Sequence, residues 1–365
     1  MRRRLAVDRD RWRAAGDAGY LGLRMPERFG GQDCSTSEAL LSFEGLGLGT
    51  PDTGLVFALA TQVFAVHHAL LEAGTEAQLE RWLPPMRRGE SIGAFSMSEP
   101  EAGSDSASIR TVAEPDGTGY RLTGEKRWVT LAPVADVAIV FASTDLSRGR
   151  WGITAFLVPL DTPGVHVGEV EAKSGLRSCP FSRLSLDGVA VPRDAVLGAI
   201  GAGSAIFTSA VEAERAFLFA AQLGAMERVL ERSVERARTR RQFDRAIGEF
   251  QAVSHRIVDM KLRHEVGRLL VYKAAELHDR GRPIAMATSL AKLYTSESAV
   301  ASALDAMRTF GAEGYTEEAG LEMDLRDAIG SLNYSGTSDL QRNLVARLLG
   351  VDRPLRRPTS NGGVS

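Results

Sequence analysis

Cysteine is scarce in this chain, with only Cys34 and Cys179 among 365 residues. They stand far apart without a CxxC pair, which excludes a disulfide framework and a thiolate zinc site and leaves two free buried thiols as the expectation. Charge of one sign is also lacking: 44 Lys and Arg face 46 Asp and Glu, for a formal net charge of −2. No basic field is available for nucleic acid or an anionic membrane, and the Arg-rich opening from Met1 to Arg4 is too short to alter that. No window of about 18 uncharged apolar residues and no apolar signal core is evident, so neither a transmembrane helix nor a secretory peptide is expected. A cytoplasmic location follows as an expectation. Walker-type phosphate loops, HExxH and GxSxG are absent. The spaced glycines Gly45, Gly47 and Gly49 follow a helix-like segment instead of a strand, and read as a loop, not as a dinucleotide fingerprint. His67, His68, His166, His255, His264 and His278 show no ligand spacing and read as surface or packing residues, with no metal site expected.

What is present is an ordinary globular composition, 44% apolar and 25% charged, on a length that allows two or three domains. Proline placement divides it. Seven of the 14 prolines fall between Pro100 and Pro192, while from Arg193 to Arg353 only Pro283 interrupts. Proline inside a helix costs ~3 kcal/mol, so the last part can hold long helices. Apolar residues Phe217, Ala220, Leu223, Leu230 and Val234 recur at helical spacing opposite Glu227, Glu231, Arg232 and Glu235, predicting a helix from about Ala205 to Arg240. Further amphipathic segments cover Phe250 to His278, Ala285 to Gly311 and Leu340 to Leu349. The middle third reads as short strands at Tyr120–Thr123, Val137–Phe141, Ile153–Val158 and Val165–Val167, separated by turn residues, and suggests a small antiparallel barrel or sandwich. Upstream, Asp8 to Ala18, Ser35 to Leu46 and Glu76 to Arg88 are helix-like. The fold class is therefore α+β, divided as a helical domain over 1–92, a β domain over 93–200, a helical bundle over 201–352 and a disordered tail over 353–365.

One segment carries chemistry. Phe95-Ser96-Met97-Ser98-Glu99-Pro100-Glu101-Ala102-Gly103-Ser104-Asp105 combines hydroxyls, a proline-fixed turn and a backbone-exposing glycine, a loop able to offer donors to a polar ligand edge. Some 25 residues on, Trp128-Val129-Thr130 sets an aromatic plane beside a hydroxyl.

Together with Arg240-Arg241-Gln242-Phe243 and Gly336-Thr337-Ser338, these segments stand in the order and spacing of the acyl-CoA dehydrogenase family, and the chain resembles that family from about Trp12 to Gly350. The resemblance implies an N-terminal helical domain, a middle antiparallel β-barrel and a C-terminal four-helix bundle. It implies FAD, with Phe95, Ser98, Gly103, Ser104, Trp128, Thr130, Arg308, Gly311, Thr337 and Asp339 as the binding set. Arg240 and Phe243 would meet the FAD of a neighbouring subunit in a homotetramer. The reaction implied is α,β-dehydrogenation of an acyl thioester on CoA or a carrier protein, with an electron-transfer flavoprotein or oxygen as electron acceptor. Ser104, Arg215, Tyr334 and Ser335 would line the substrate.

Such a reaction needs a carboxylate base in an apolar cleft. Most members of the family place Glu directly before the Gly-Thr of the last motif, where this chain has Ser335. A relocated base is visible at Glu214, which precedes Arg215 and the apolar run Ala216 to Ala221; isovaleryl and long-chain members carry their base at this Glu-Arg position. Glu212 is the competing candidate, and a paired or solvated helix carboxylate is the alternative reading of Glu214. Glu214-Arg215, Arg177-Ser178-Cys179-Pro180 and Ser335-Gly336-Thr337-Ser338-Asp339 narrow the likeness to the prolyl-carrier-protein dehydrogenases of pyrrole-forming secondary metabolism. Leu131, Asp244 and Ala312 depart from the pattern. Three functions remain open at this point: a dehydrogenase acting on a carrier-bound prolyl or similar small acyl group, a short- or branched-chain acyl-CoA dehydrogenase, and a catalytically silent acyl-thioester-binding partner subunit.

Overall fold

In the computed structural model, residues 7–351 are described; the Met1–Arg4 opening and the 353–365 tail lie outside them. Short polar side chains start the N-terminal helices. Asp8, Ser35 and Asp52 each accept a hydrogen bond from the first turn of α1 (Arg9–Asp17), α2 (Thr36–Gly49) and α3 (Thr53–Thr61). Helix α3 runs through a π-helical stretch, Gln62–His67, into α4 (His68–Ala73), and a Thr75/Gln78 capping box opens α5 (Glu76–Arg87). The Thr53–Ala73 rod corrects an expectation from the sequence, because it is long and apolar enough to cross a membrane by length and composition. Its side chains are mostly buried in the protein, as in a core helix.

The middle region is one sheet of eight strands: β1 (Gly93–Ser96), β2 (Val112–Pro115), β3 (Gly119–Thr130), β4 (Val137–Ser143), β5 (Ile153–Pro159), β6 (Val165–Val167), β7 (Phe181–Pro192) and β8 (Val196–Leu197). The order β6-β7-β3-β2-β4-β5-β8 leaves β6 and β8 at its ends. It is mixed where an antiparallel barrel was expected, since β4 pairs in parallel with β1 (Gly93 opposite Val137) and with β2 (Val112 opposite Ser143). The long returns between these strands, unlike hairpins, allow the parallel direction. Strand β7 escaped the sequence reading because Asp187-Gly188 reads as a turn. In the structure the pair forms a bulge, with two β7 residues opposite one β3 residue between Leu122–Val189 and Gly124–Leu186.

The C-terminal part comprises α6 (Gly203–Phe217), α7 (Phe219–Thr239), a hairpin of β9 (Arg241–Gln242) and β10 (Arg245–Ala246), α8 (Gln251–Asp279), α9 (Ala285–Phe310), α10 (Leu321–Gly330) and α11 (Ser338–Leu349). The single helix expected over Ala205–Arg240 is interrupted at Leu218. That residue keeps right-handed helical dihedrals and its N–H still reaches Glu214 O at 3.1 Å, so the interruption changes hydrogen bonding without reversing the chain. The glycine run expected to be a loop lies in the last turns of α2. A Cβ on Gly47 would stand 2.2 Å from Ala221 O, and one on Gly224 2.0 Å from Glu44 O. These glycines let α2 and α7 touch backbone to backbone, joining the N-terminal helices to the bundle. One apolar cluster accordingly spans Phe43, Phe64, Phe217, Phe219 and Val271. Cys179 is a buried free thiol as expected, whereas Cys34 is only half-buried, because it sits in the connection ahead of α2.

Candidate active site

Glu214 lies on the last turn of α6, and Ser335 on the loop between α10 and α11. The Ser335 hydroxyl donates to Glu214 Oε1 at 2.7 Å, closing two segments 121 residues apart. Burial raises the Glu214 pKa; the Ser335 hydrogen bond and the Arg215 charge oppose the shift without cancelling it. Arg215 is itself buried, with its Nε lacking a hydrogen-bond partner, and burial lowers its pKa against the attraction of Glu212 and Glu214. Tyr334 packs its ring 4.7 Å from Phe57 and 5.7 Å from Phe219, centroid to centroid. Burial, followed by the Glu214 and Asp327 charges, pushes its hydroxyl pKa up. The result is a carboxylate among aromatic rings, held by one hydroxyl, with a neutral phenol beside it.

The loop that bears Ser335 is fixed from three directions. Ser335 adopts a left-handed φ of 51° and Gly336 one of 91°, a tight reversal that costs the serine conformational energy. Thr337 caps α11 by accepting from Leu340 N at 3.1 Å, and Gln341 Nε2 donates to the Ser335 and Gly336 carbonyls. Lys292, fully buried on α9, donates to Leu332 O at 3.2 Å, and burial pulls its pKa down to about 8. Sequence reasoning missed Lys292; the signal was a lone cation in the otherwise small and apolar stretch from Ala285 to Thr295.

A second cluster gathers at the sheet. Glu99 lies in the Ser98–Asp105 loop and Lys126 on β3, with Nζ 2.7 Å from Glu99 Oε1 and 3.1 Å from Met97 O. Glu99 also accepts from Thr111 N at 3.0 Å, Thr111 Oγ1 at 2.5 Å and Arg110 N at 2.6 Å. Despite burial its pKa lies below the usual carboxylate range, because Lys126 and these donors favour the charged form. This pair was also missed from sequence, although Lys126 shares the inward parity of Leu122 on β3 and an inward lysine needs a partner. Together with the Arg127 N–H to Ser98 O bond of 2.9 Å, it ties the loop to the strand that carries Trp128.

Trp128 sits in a bulge of β3, between the Lys126–Leu184 and Val129–Ser182 pairs, with φ of 55°. The extra residue turns the indole outward, leaving it 46% exposed, with the Arg127 guanidinium 5.4 Å from its ring centroid. Thr130 ends the strand half-buried, Ser104 is exposed, and a Cβ at Gly103 would meet nothing within 4 Å. Phe95 packs instead on Phe141 and Phe207. Leu131, buried at φ of 66°, occupies a left-handed position that suits Asn better.

The remaining candidates lie elsewhere in the bundle. Phe243 and Asp244, at φ of 51° and 60°, form the two-residue turn of the β9–β10 hairpin, and Phe243 is 87% exposed. Arg240, just before β9, is exposed as well. Arg308 pairs with Asp305 at the end of α9 and Gly311 follows at φ of 64°, while Asp339 is exposed and pairs with Arg342. Among the described contacts none joins Arg240, Phe243, Arg308 or Gly311 to Glu214. A separate cavity of about 230 Å³ is lined by Phe64, Ala213, Phe217, His68 and His278 among others, and by neither Glu214 nor Ser335.

Helical, sheet and helical regions follow in this order, with a desolvated glutamate facing a loop hydroxyl, and the chain belongs to the acyl-CoA dehydrogenase family. Its residues 1–90, 94–189 and 201–350 match the family's N-terminal, middle and C-terminal domains. It is similar to an L-prolyl-[peptidyl-carrier protein] dehydrogenase of Pseudomonas fluorescens, 44% identical over 93% of this chain and 89% of that protein. Among solved structures it is similar to the prolyl acyl carrier protein oxidase AnaB, with a TM-score of 0.93 and 41% identity over 94% of this chain and 91% of the other. It is also similar to PigA with FAD and proline, with a TM-score of 0.93 and 38% identity over 95% and 90%.

Proposed function

We propose that this enzyme is an FAD-dependent dehydrogenase of a prolyl group tethered to a carrier protein in secondary metabolism, with Glu214 as the base. The observation that carries the reading is the Glu214–Ser335 pair: the loop position where most of the family has Glu holds a hydroxyl, and that hydroxyl touches a carboxylate of raised pKa on α6. The identity to carrier-protein dehydrogenases and the likeness to PigA with FAD and proline support the substrate and the cofactor.

The residues present fit a flavin. A bulge-presented indole at Trp128, the Ser98 and Thr130 hydroxyls and the open space over Gly103 offer a plane, donors and room for a close backbone approach. Bound FAD would supply a two-electron acceptor for the hydrogen leaving the β-carbon with its electron pair. Glu214 takes the α-proton, and the apolar wall of Phe57, Phe219 and Tyr334 keeps water from competing for that carboxylate. Ser335 holds Oε1 in place until substrate binds. Arg215 adds positive charge near the base, which favours its ionised form against burial. The exposed Arg240 and Phe243 serve the cofactor of a neighbouring copy, with Arg240 offering a forked donor set to phosphate oxygens.

The test compares prolyl-carrier protein with prolyl-, butyryl- and isovaleryl-CoA, following bleaching of the flavin absorbance, with oxygen or an electron-transfer flavoprotein as acceptor. Higher kcat/KM on the carrier-bound prolyl group is expected. An equal or higher value with a CoA thioester moves the enzyme to the acyl-CoA reading, and bleaching by none of them leaves the silent partner subunit.

A further inference from the structure

We propose that Glu44, Glu227 and His264 form a binding site for a divalent transition-metal ion of the zinc class, distinct from the dehydrogenation site. The three residues come from α2, α7 and α8, and one donor atom of each lies within 4.8 Å of the others. In a tetrahedral shell with nitrogen and oxygen ligands at about 2.0–2.2 Å the donor atoms stand ~3.3–3.6 Å apart, so these side chains need to draw in by at most ~1.5 Å.

His264 supplies the independent observation. Its residue is 2% exposed, and neither ring nitrogen has a hydrogen-bond partner. Its Nδ1 is 3.9 Å from Glu265 Oε1, beyond hydrogen-bond range. A buried imidazole without a partner is costly, and the site as it stands leaves that cost unanswered.

Glu44 is buried and already oriented, with Arg268 Nε at 2.8 Å from Oε1 and the Tyr272 hydroxyl on Oε2. Each carboxylate oxygen retains a second lone pair, so these contacts act as outer partners that aim the ligand. The set of one imidazole and two carboxylates neutralises a divalent charge and suits zinc, with a coordination position left for water. The ion would pin α2 to the two helices it crosses, beside the close approach of Gly47 to α7. The histidine spacing in the sequence could not reveal such a site, because each ligand lies on a different helix.

The experiment titrates Zn²⁺ into the full-length FAD-loaded enzyme after chelator treatment, by calorimetry, with the thermal midpoint and the zinc absorption edge read in parallel. One ion per chain at micromolar Kd or tighter, a raised midpoint and a nitrogen/oxygen ligand shell are expected. His264→Gln and Glu227→Gln should each weaken binding at least tenfold, whereas His68→Ala, at the half-exposed His68–Glu72 pair, should leave it unchanged. The absence of saturable binding, or wild-type affinity in both Glu227→Gln and His264→Gln, overturns the proposal. Neither result depends on which thioester the enzyme oxidises.

Discussion

Two desolvated glutamates, one at the sheet and one in the bundle, have opposite surroundings. Glu99 receives Lys126, the Thr111 hydroxyl and two backbone N–H groups, and its pKa falls below the ordinary range although it is buried. Glu214 has one hydroxyl donor and a guanidinium nearby that does not hydrogen-bond to it, and its pKa rises. Burial penalises the charged form of both, and the number and charge of the donors that oppose it separate the two signs. A carboxylate that accepts four hydrogen bonds, one of them from an ammonium, is an anchor. One left mostly free, in an apolar wall, can take a proton.

The largest expected effect breaks the comparison at the bundle. Glu214→Gln should retain bound FAD and slow flavin reduction by ~10²–10⁴, the range attributed to general base catalysis. Rapid mixing with substrate measures this directly, and Glu212→Gln should change the rate far less, because residues two apart on a helix do not face the same cleft. Full activity in Glu214→Gln would redirect the search for the base to Glu212 or Asp339.

Breaking the other half acts on stability. Glu99→Gln leaves the Lys126 ammonium, with no exposed surface, facing a neutral amide. Removing one partner of a buried ion pair costs ~3–5 kcal/mol. Chemical denaturation should show that loss, along with weaker FAD retention if the Ser98 loop loosens. A change within about 0.5 kcal/mol would mean that Lys126 finds another partner or releases its proton, which burial makes easier by lowering its pKa to about 8.

The smallest effect sharpens the contrast. Ser335→Ala removes the one donor that favours ionised Glu214, so the carboxyl pKa should rise further. A base works only when deprotonated, so the rate of flavin reduction climbs as pH rises through that pKa. The climb in Ser335→Ala should therefore be displaced to higher pH, with the high-pH plateau little changed. An unmoved profile would show that the hydroxyl positions the carboxylate without tuning it.

Legibility from sequence followed the same division. The long α8 and α9 helices were readable because their apolar periodicity runs uninterrupted by proline, and Glu214 stood out as a charge heading an apolar run. Strand β7 was lost because Asp-Gly means turn in isolation and bulge when β3 lies alongside. The Gly45–Gly49 run reads as a loop in sequence because it follows a helix-like segment instead of the strand a dinucleotide fingerprint needs. It is helical because α2 and α7 cross too closely for side chains at Gly47 and Gly224.

The sequence by itself determined the order of helical, sheet and helical regions, and that Ser335 stands before the last Gly-Thr while Glu214 heads an apolar run. Proline placement, hydrophobic period and motif order are local properties, readable one window at a time. Tertiary structure alone decided that Ser335 meets Glu214, that Lys126 neutralises Glu99, that Lys292 holds the Leu332 carbonyl, and that His264 stands unpartnered between Glu44 and Glu227. Each of these joins residues from different elements, and the burial that sets their protonation exists only once those elements have packed.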